Sequence, residues 1–89
     1  MSYAVFFEEK AAKELAKIER PYQLLIKKKI ELLAEDFASM ANNLKPLKGK
    51  YDYYRLRVGC YRVLFHKDAR KIMITIVRVG HRREVYKDL

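Results

Sequence analysis

The sequence is short of cysteine, glycine and long apolar runs, and each shortage excludes a class of protein. One cysteine cannot form an internal disulfide, which fits a reducing cytoplasm, and one cysteine with two scattered histidines does not make a typical zinc site. With three glycines the chain has no glycine-rich loop for a nucleotide phosphate. No apolar run approaches the length of a membrane span, so no membrane association is predicted.

Acidic residues are also scarce. The chain has 11 acidic and 20 basic residues, a net charge of +9, which favours an anionic partner, either nucleic acid or an acidic protein. Most of the carboxylates fall in predicted helices rather than converging on one point, which argues against a two-metal nuclease. We therefore predict neither a metal nor another cofactor.

A length of 89 residues, 51% of them apolar, predicts one domain over residues 1–89 with a modest core. The start of the chain lacks the basic segment of a secretory signal, since Glu8 and Glu9 follow its apolar residues at once. We therefore expect a cytoplasmic protein.

The chain is organised around a β-hairpin at residues 53–65, with its turn at Gly59 and Cys60. This turn sets a register in which Arg57 lies opposite Arg62. One face of the hairpin is apolar, and the other carries Tyr53, Arg55, Arg57, Arg62, Leu64 and His66. Like charges opposite each other destabilise a sheet unless something offsets them. A phosphate-bearing ligand would do so; solvated arginines on an ordinary half-exposed sheet are the alternative, and spacing alone leaves both open.

The remaining segments predict an α+β fold of order β-α-α-β-β-β, in which two N-terminal helices cover one face of a mostly antiparallel sheet. Periodicity indicates a strand at residues 2–7, helices at 8–20 and 21–37, an irregular connection at 38–50, a turn at 66–70 and a central strand at 72–79 that Gly80 ends. Ile72, Ile74 and Ile76 are expected on one face of this last strand, and Met73, Val77 and Val79 on the other.

Metal-free cleavage of RNA is compatible with these residues. It needs a base for the ribose 2′-hydroxyl, cations for the phosphorus charge and an acid for the leaving oxygen. Arginine stays protonated, so Tyr86 and His81 are the main candidates to transfer protons, and His66 ranks after them. Each also has a structural interpretation: a packed C-terminal aromatic, a solvated loop residue and a residue that ends a strand, respectively.

The motifs resemble the RelE branch of the RelE/ParE toxin superfamily over nearly the whole chain. The residues that carry the resemblance are Leu47-Lys48-Gly49, Tyr54-Arg55-Leu56-Arg57-Val58-Gly59-Cys60-Tyr61-Arg62-Val63 and Val79-Gly80-His81-Arg82-Arg83-Glu84-Val85-Tyr86. The Gly-x-Tyr-Arg hairpin is shared by the superfamily, whereas the terminal Glu-Val-Tyr motif is typical of RelE.

The resemblance implies a type II toxin that cleaves mRNA in the ribosomal A site, stops translation and is held inactive by an acidic, RelB-like antitoxin. It implies that Arg62 stabilises the scissile phosphate, that Arg82 lies at the phosphate or leaving group, and that Tyr86 accepts a proton or stacks on a base. His81 stands where a lysine is common and suits proton transfer. Further RNA contacts are expected from Arg55, Arg57, Arg83, Lys48, Lys50 and Tyr53. Tyr53 and Arg55 replace two lysines that are common in the family.

Two other functions stay open on the sequence alone. A ParE-like protein on the same scaffold would poison DNA gyrase without cutting RNA, and Arg62 by itself does not separate this activity from the RelE activity. A basic module without chemistry would bind RNA with strong salt dependence and leave it intact.

Overall fold

Residues 2–81, the part of the chain that the computed structural model describes, form five strands, two α-helices and one 3₁₀ helix. The strands are β1 (Ala4–Phe7), β2 (Leu44–Pro46), β3 (Tyr53–Val58), β4 (Tyr61–Asp68) and β5 (Met73–His81). The helices are α1 (Glu9–Ala16), α2 (Arg20–Glu35) and the 3₁₀ helix (Ala38–Asn43).

The strands form one mixed sheet in the order β1-β5-β4-β3-β2. Strand β1 runs parallel to β5, and every other neighbouring pair is antiparallel. Both α-helices contribute to the core on one side of this sheet. The predicted α+β architecture is therefore confirmed, and β5 lies inside the sheet between β1 and β4.

Helical spacing in the sequence predicts a buried apolar stripe in α2 at Ile26, Ile30, Leu33 and Phe37, flanked by Leu25 and Leu32. Ile26, Ile30 and Leu33 of α2 are fully buried, whereas Leu25 and Leu32, which were expected to flank the stripe, are exposed. Pro21 lies in the first turn of α2, where a missing N–H costs no helical hydrogen bond. Helix α1 ends at Ala16 rather than near Arg20, and α2 ends at Glu35, so that Phe37 packs on the core from beyond the helix.

The hairpin of β3 and β4 has the predicted register, with Val58 opposite Tyr61 and Arg57 opposite Arg62. Gly59 in its turn has φ of 59°, a conformation that glycine adopts at little cost. A Cβ on Gly59 would touch nothing within 4 Å, so the backbone angle and not lack of space favours glycine here.

The predicted connection at residues 38–50 contains structure that the sequence pattern did not reveal. Residues 38–43 form the 3₁₀ helix, and β2 pairs with β3 so that Lys45 lies opposite Arg55. Pro46 belongs to β2, which is an edge strand and therefore tolerates a missing donor. Three residues that include a proline do not give a recognisable strand pattern, which explains the omission.

The turn predicted at residues 66–70 lies further along the chain. His66 sits within β4, paired with Tyr53 on one side and Thr75 on the other. The turn begins after Asp68, whose carboxylate accepts hydrogen bonds from the backbone N–H groups of Arg70 and Lys71 at 3.0 and 3.1 Å. The hydrogen bond from Lys71 is the main reason that the pKa of Asp68 lies below its ordinary value.

A β-bulge changes the faces predicted for β5. Leu64 pairs with Arg78 but the next residue, Phe65, pairs with Ile76, so Val77 is the extra residue. Ile76 and Val79 consequently both face the core, and the assignment of Val79 to the opposite face was wrong. Gly80 does not end the strand, because it pairs with Arg62 and β5 continues to His81.

Candidate nucleic-acid interface

The side of the sheet that faces away from the helices carries the predicted basic residues, and we call it the arginine face. It comprises Tyr53, Arg55 and Arg57 of β3 with Arg62, Leu64 and His66 of β4. Leu64 is fully buried even though it lies on this face. The arginine face is therefore covered at Leu64, near its middle, and is not open along its whole length.

A cleft of about 150 Å³ opens on the arginine face around the opposed arginines. Its lining residues are Asn42, Asn43, Lys45, Arg55, Arg57 and Arg62. Four cations and two amides thus surround one small polar space, an arrangement suited to a phosphate or another oxyanion. The sequence interpretation missed Asn42, Asn43 and Lys45. The signal that would have found them was the pairing of β2 with β3, which places Lys45 beside Arg55.

Arg62 is held in the cleft by one hydrogen bond and has one atom without a partner. Its Nη1 donates to the carbonyl oxygen of Tyr61 at 3.1 Å. Its Nε is buried and finds no acceptor among the described residues. Within residues 2–81, no ion pair involves Arg57 or Arg62 either. Buried donors in proteins nearly always find acceptors, so the Nε of Arg62 is suited to donate a hydrogen bond to an oxyanion in the cleft.

Tyr53 and His66 form an aromatic pair on the same face. Their ring centroids are 4.8 Å apart with the rings tilted by 48°. The ammonium group of Lys50 lies 5.7 Å from the centroid of the Tyr53 ring. Lys48 is exposed in the loop between β2 and β3. The structure thus places Tyr53 and Lys50 together with His66, for which no RNA contact was expected.

His81 lies on the other side of the sheet from Arg62. It pairs with Tyr61, so both side chains face the helices, and their ring centroids are 6.2 Å apart. Desolvation is the main reason that the pKa of Tyr61 is raised, and the charges of Cys60, Glu19 and Tyr22 add to it. Tyr61 is therefore protonated at neutral pH. The described residues do not bring His81 to the arginine cleft.

Glu14 joins α1 to the free edge of β5. Beyond the end of β1 this edge has no strand neighbour, and the Glu14 carboxylate takes its place. It accepts the backbone N–H of Val79 at 3.0 Å and the Nε of Arg78 at 3.0 and 3.2 Å. Arg78 is only 9% exposed, so this ion pair is largely shielded from water. The contact holds the end of β5 next to Gly80, the residue that pairs with Arg62.

Three predicted site residues, Arg82, Arg83 and Tyr86, lie outside the described residues. Within residues 2–81, no group of three or more His, Cys, Asp or Glu side chains could hold a metal ion. A helix long and apolar enough to cross a membrane is likewise not found in that part of the chain.

Residues 5–86 match the family model described as the ParE toxin of type II toxin–antitoxin systems. The chain is 30% identical over 90 aligned residues to the mRNA interferase toxin RelE of Escherichia coli K12, and the alignment covers 99% of this chain and 94% of that relative.

Solved structures of type II complexes have the same fold. The RelBE2 toxin–antitoxin complex of Mycobacterium tuberculosis gives a TM-score of 0.79 at 25% identity and covers 92% of this chain and 100% of that chain. The intact E. coli RelBE toxin–antitoxin complex gives a TM-score of 0.77 at 26% identity, and the match covers 90% of this chain and 96% of that chain. The chain therefore belongs to the type II toxins of the RelE/ParE superfamily, in the RelE branch.

Proposed function

We propose that this protein is a metal-independent endoribonuclease that cleaves mRNA in the ribosomal A site and thereby stops translation. The observation that carries the proposal is the arginine cleft, in which Arg57 faces Arg62 and the buried Nε of Arg62 lacks an acceptor. The name mRNA interferase of its E. coli relative supports the same activity. In this proposal the ligand oxygen at Arg62 belongs to the scissile phosphate.

The reaction is a transfer of the phosphorus from one ribose oxygen to another. The ribose 2′-oxygen bonds to the adjacent phosphorus, and the bond from phosphorus to the 5′-oxygen breaks, which leaves a 2′,3′-cyclic phosphate. One proton leaves the 2′-hydroxyl for a base, and another is donated to the 5′-oxygen. Arg62 stabilises the charge on the phosphorus oxygens, and Arg82 supports the phosphate or the leaving group. Tyr86 is the proposed proton-transfer group, and His81, the second candidate from the sequence, lies on the other side of the sheet from Arg62.

The remaining basic residues bind the RNA around this centre. Arg55 and Arg57 line the cleft with Arg62, whereas Lys48 and Lys50 lie in the loop that leads to β3. We assign contacts with the other RNA phosphates to Arg55, Arg57, Lys48, Lys50 and Arg83. Each phosphate that they neutralise releases counterions, so binding should weaken as salt rises.

A regulatory partner forms part of the proposal. Solved structures similar to this chain include complexes of a RelE toxin with a RelB antitoxin. With a net charge of +9, this chain is suited to an acidic antitoxin that folds as it binds. We propose that the chain acts in the cytoplasm as one domain over residues 1–89.

The activity is tested by adding purified protein to a translation extract and mapping mRNA ends on ribosomes. We expect cuts within ribosome-bound codons. Arg62→Ala should cut about 10²–10³ times more slowly, the usual effect of removing an electrostatic stabiliser. Arg70→Ala, which removes an exposed arginine in the turn after β4, is the matched control and should cut normally. Intact mRNA with the wild-type protein, or a fully active Arg62→Ala protein, would contradict the proposal.

The family model favours a second candidate, because it is described as the ParE toxin. A protein with that activity would trap DNA gyrase on broken DNA and leave mRNA intact. Bacterial cultures that express the protein distinguish the two, since accumulated gyrase–DNA breaks without cut mRNA would select the second function. RNA that is bound but neither cut nor accompanied by DNA breaks would indicate a binding module without chemistry.

A further inference from the structure

The arginine face is divided into rows that differ in chemistry. Residues directly opposite each other on neighbouring strands share a face, so the register defines a row across four strands. This aromatic row consists of Tyr53 on β3, His66 on β4, Thr75 on β5 and Phe6 on β1. Three of its four side chains are rings, and they lie on the side of the sheet away from the helices.

The rings of the aromatic row are accessible to a ligand. Phe6 is 59% exposed, although a large apolar side chain at a sheet edge is costly to leave in water. Tyr53 and His66 are partly exposed, and their rings are in contact at a centroid distance of 4.8 Å. The Lys50 ammonium beside the Tyr53 ring adds a cation at the end of the row.

The next rows along the strands are cationic. Two residues on from the aromatic row, Arg55 lies between Lys45 and Leu64, and a further two residues on, Arg57 faces Arg62. Successive rows are about 6.6 Å apart, because a strand rises about 3.3 Å per residue. Along β3 a stacking surface therefore borders a phosphate-binding cleft through Arg55, whereas on β4 the buried Leu64 lies between the two.

We propose that the aromatic row is a stacking site for an unpaired nucleobase of single-stranded RNA whose backbone passes through the arginine cleft. This combination of a cationic groove and aromatic side chains is how proteins bind single-stranded nucleic acids, since every base has a face that stacks. The inference rests on the proposed function, because it extends the same RNA beyond the scissile phosphate. Lys50 would contact the phosphate of the stacked nucleotide.

A cross-strand pair that merely stabilises the sheet is the competing explanation for Tyr53 and His66. It accounts for their contact but not for Phe6, which is separated from Tyr53 by two strands in the same row and remains exposed. It also predicts a loss of stability on substitution with no change in RNA binding. The two explanations therefore differ in a measurable quantity.

The test uses a single-stranded RNA of about ten nucleotides, within the usual range of such sites. Methylation of every 2′-oxygen removes the nucleophile, so binding is measured without cleavage. One base at a time is replaced by an abasic sugar, and dissociation constants are measured by fluorescence anisotropy at low salt. For the wild type we expect one abasic position to weaken binding about tenfold or more, the usual effect of losing one stacked base.

Protein variants link that position to the aromatic row. Tyr53→Leu and His66→Leu keep apolar volume but remove a ring, and they should bind intact RNA more weakly and lose the sensitivity to the abasic position. Tyr53→Phe keeps a ring and should retain the sensitivity to the abasic position. Tyr51→Leu is the matched control, because Tyr51 is 96% exposed two residues before Tyr53, and it should bind as the wild type does. Thermal melting identifies any variant that has unfolded. If a leucine variant has unfolded, Phe6→Ser, which removes the exposed ring of the same row, is measured in its place and should also bind intact RNA more weakly.

The outcomes separate this inference from the proposed function. Failure of wild-type protein to bind the RNA, insensitivity to every abasic position, or sensitivity that persists in the leucine variants would each overturn the stacking site. Arg62→Ala should weaken binding but keep the abasic sensitivity. If the stacking site is found but the unmodified mRNA is not cut on ribosomes, the endonuclease proposal fails while the binding site stands.

Discussion

Arg57 and Arg62 face each other across the hairpin, yet their environments differ. Arg57 is exposed, whereas Arg62 is half-buried, anchored to the carbonyl of Tyr61 and left with an orphaned Nε. A guanidinium that is already fixed loses little conformational entropy when it binds an oxyanion. This difference is the reason that Arg62 is assigned to the reacting phosphate and Arg57 to RNA binding.

Tyr86→Phe separates the two roles proposed for Tyr86, because it keeps the ring and removes the hydroxyl. If Tyr86 accepts the proton, single-turnover cleavage on programmed ribosomes should lose most of its rate, typically about 10²–10⁴-fold. We expect this loss. Tyr86→Leu, which also removes the stacking surface, is the comparison, and a Tyr86→Phe protein as active as the wild type would restrict the residue to stacking.

His81→Ala should reduce the rate less than Arg62→Ala. The physical reason is the register, which places His81 with Tyr61 on the helix side of the sheet and Arg62 on the opposite side. Cleavage rates measured from pH 5.5 to 8 provide the check, since a histidine accepts a proton only in its neutral form and a histidine base would make the rate rise with pH. Loss of such a rise in His81→Ala would show that His81 is the base after all.

At the scale of elements, β5 depends on two features that no local pattern signals. The bulge at Val77 turns Val79 into the core, and the Glu14 carboxylate binds the edge that β1 leaves uncovered. Both arise from pairing between residues far apart in the sequence. Alternation within residues 72–79 could indicate a buried strand, but not the residue at which its faces change.

Glu14→Gln should lower the free energy of unfolding by about 1–3 kcal/mol, because the ion pair of Glu14 with the partly buried Arg78 guanidinium is lost. Urea denaturation measures the change. Glu9→Gln is the control, since Glu9 pairs with Lys13 on the exposed surface of α1 and should change stability by less than about 0.5 kcal/mol. Equal effects of the two substitutions would mean that the Glu14 contact does not hold β5.

At the scale of the whole molecule, four of the basic residues behind the net charge of +9 line the cleft where the proposed partners bind. The arginine face would attract RNA and an acidic antitoxin alike, so the two should compete for it. Such competition accounts for inhibition without a separate regulatory site. Electrostatic attraction of this kind affects association rates more than dissociation rates.

Co-expression with an acidic antitoxin encoded next to this chain should restore growth and yield a complex that co-purifies. Its association rate should fall as salt rises. Arg57→Glu should slow association more than Lys28→Glu, which makes the same change in net charge on the exposed surface of α2. Equal slowing by both variants would place the antitoxin away from the arginine face.

The sequence by itself determined the features that depend on neighbouring residues. Turn chemistry at Gly59, alternation in the hairpin and helical spacing in α2 were sufficient for the register, the core stripe and the opposition of Arg57 to Arg62. These signals are local, so a single chain displays them. The family motifs indicated the RelE branch on the same basis.

The tertiary structure alone decided which of those residues meet. It added β2 and so brought Lys45, Asn42 and Asn43 to the cleft, and it continued β4 beyond His66 and so aligned that residue with Thr75 and Phe6 in the aromatic row. It also placed His81 on the far side of the sheet from Arg62. Each outcome depends on strand pairing across many residues, and the free energy of such pairing comes from contacts that no local pattern contains.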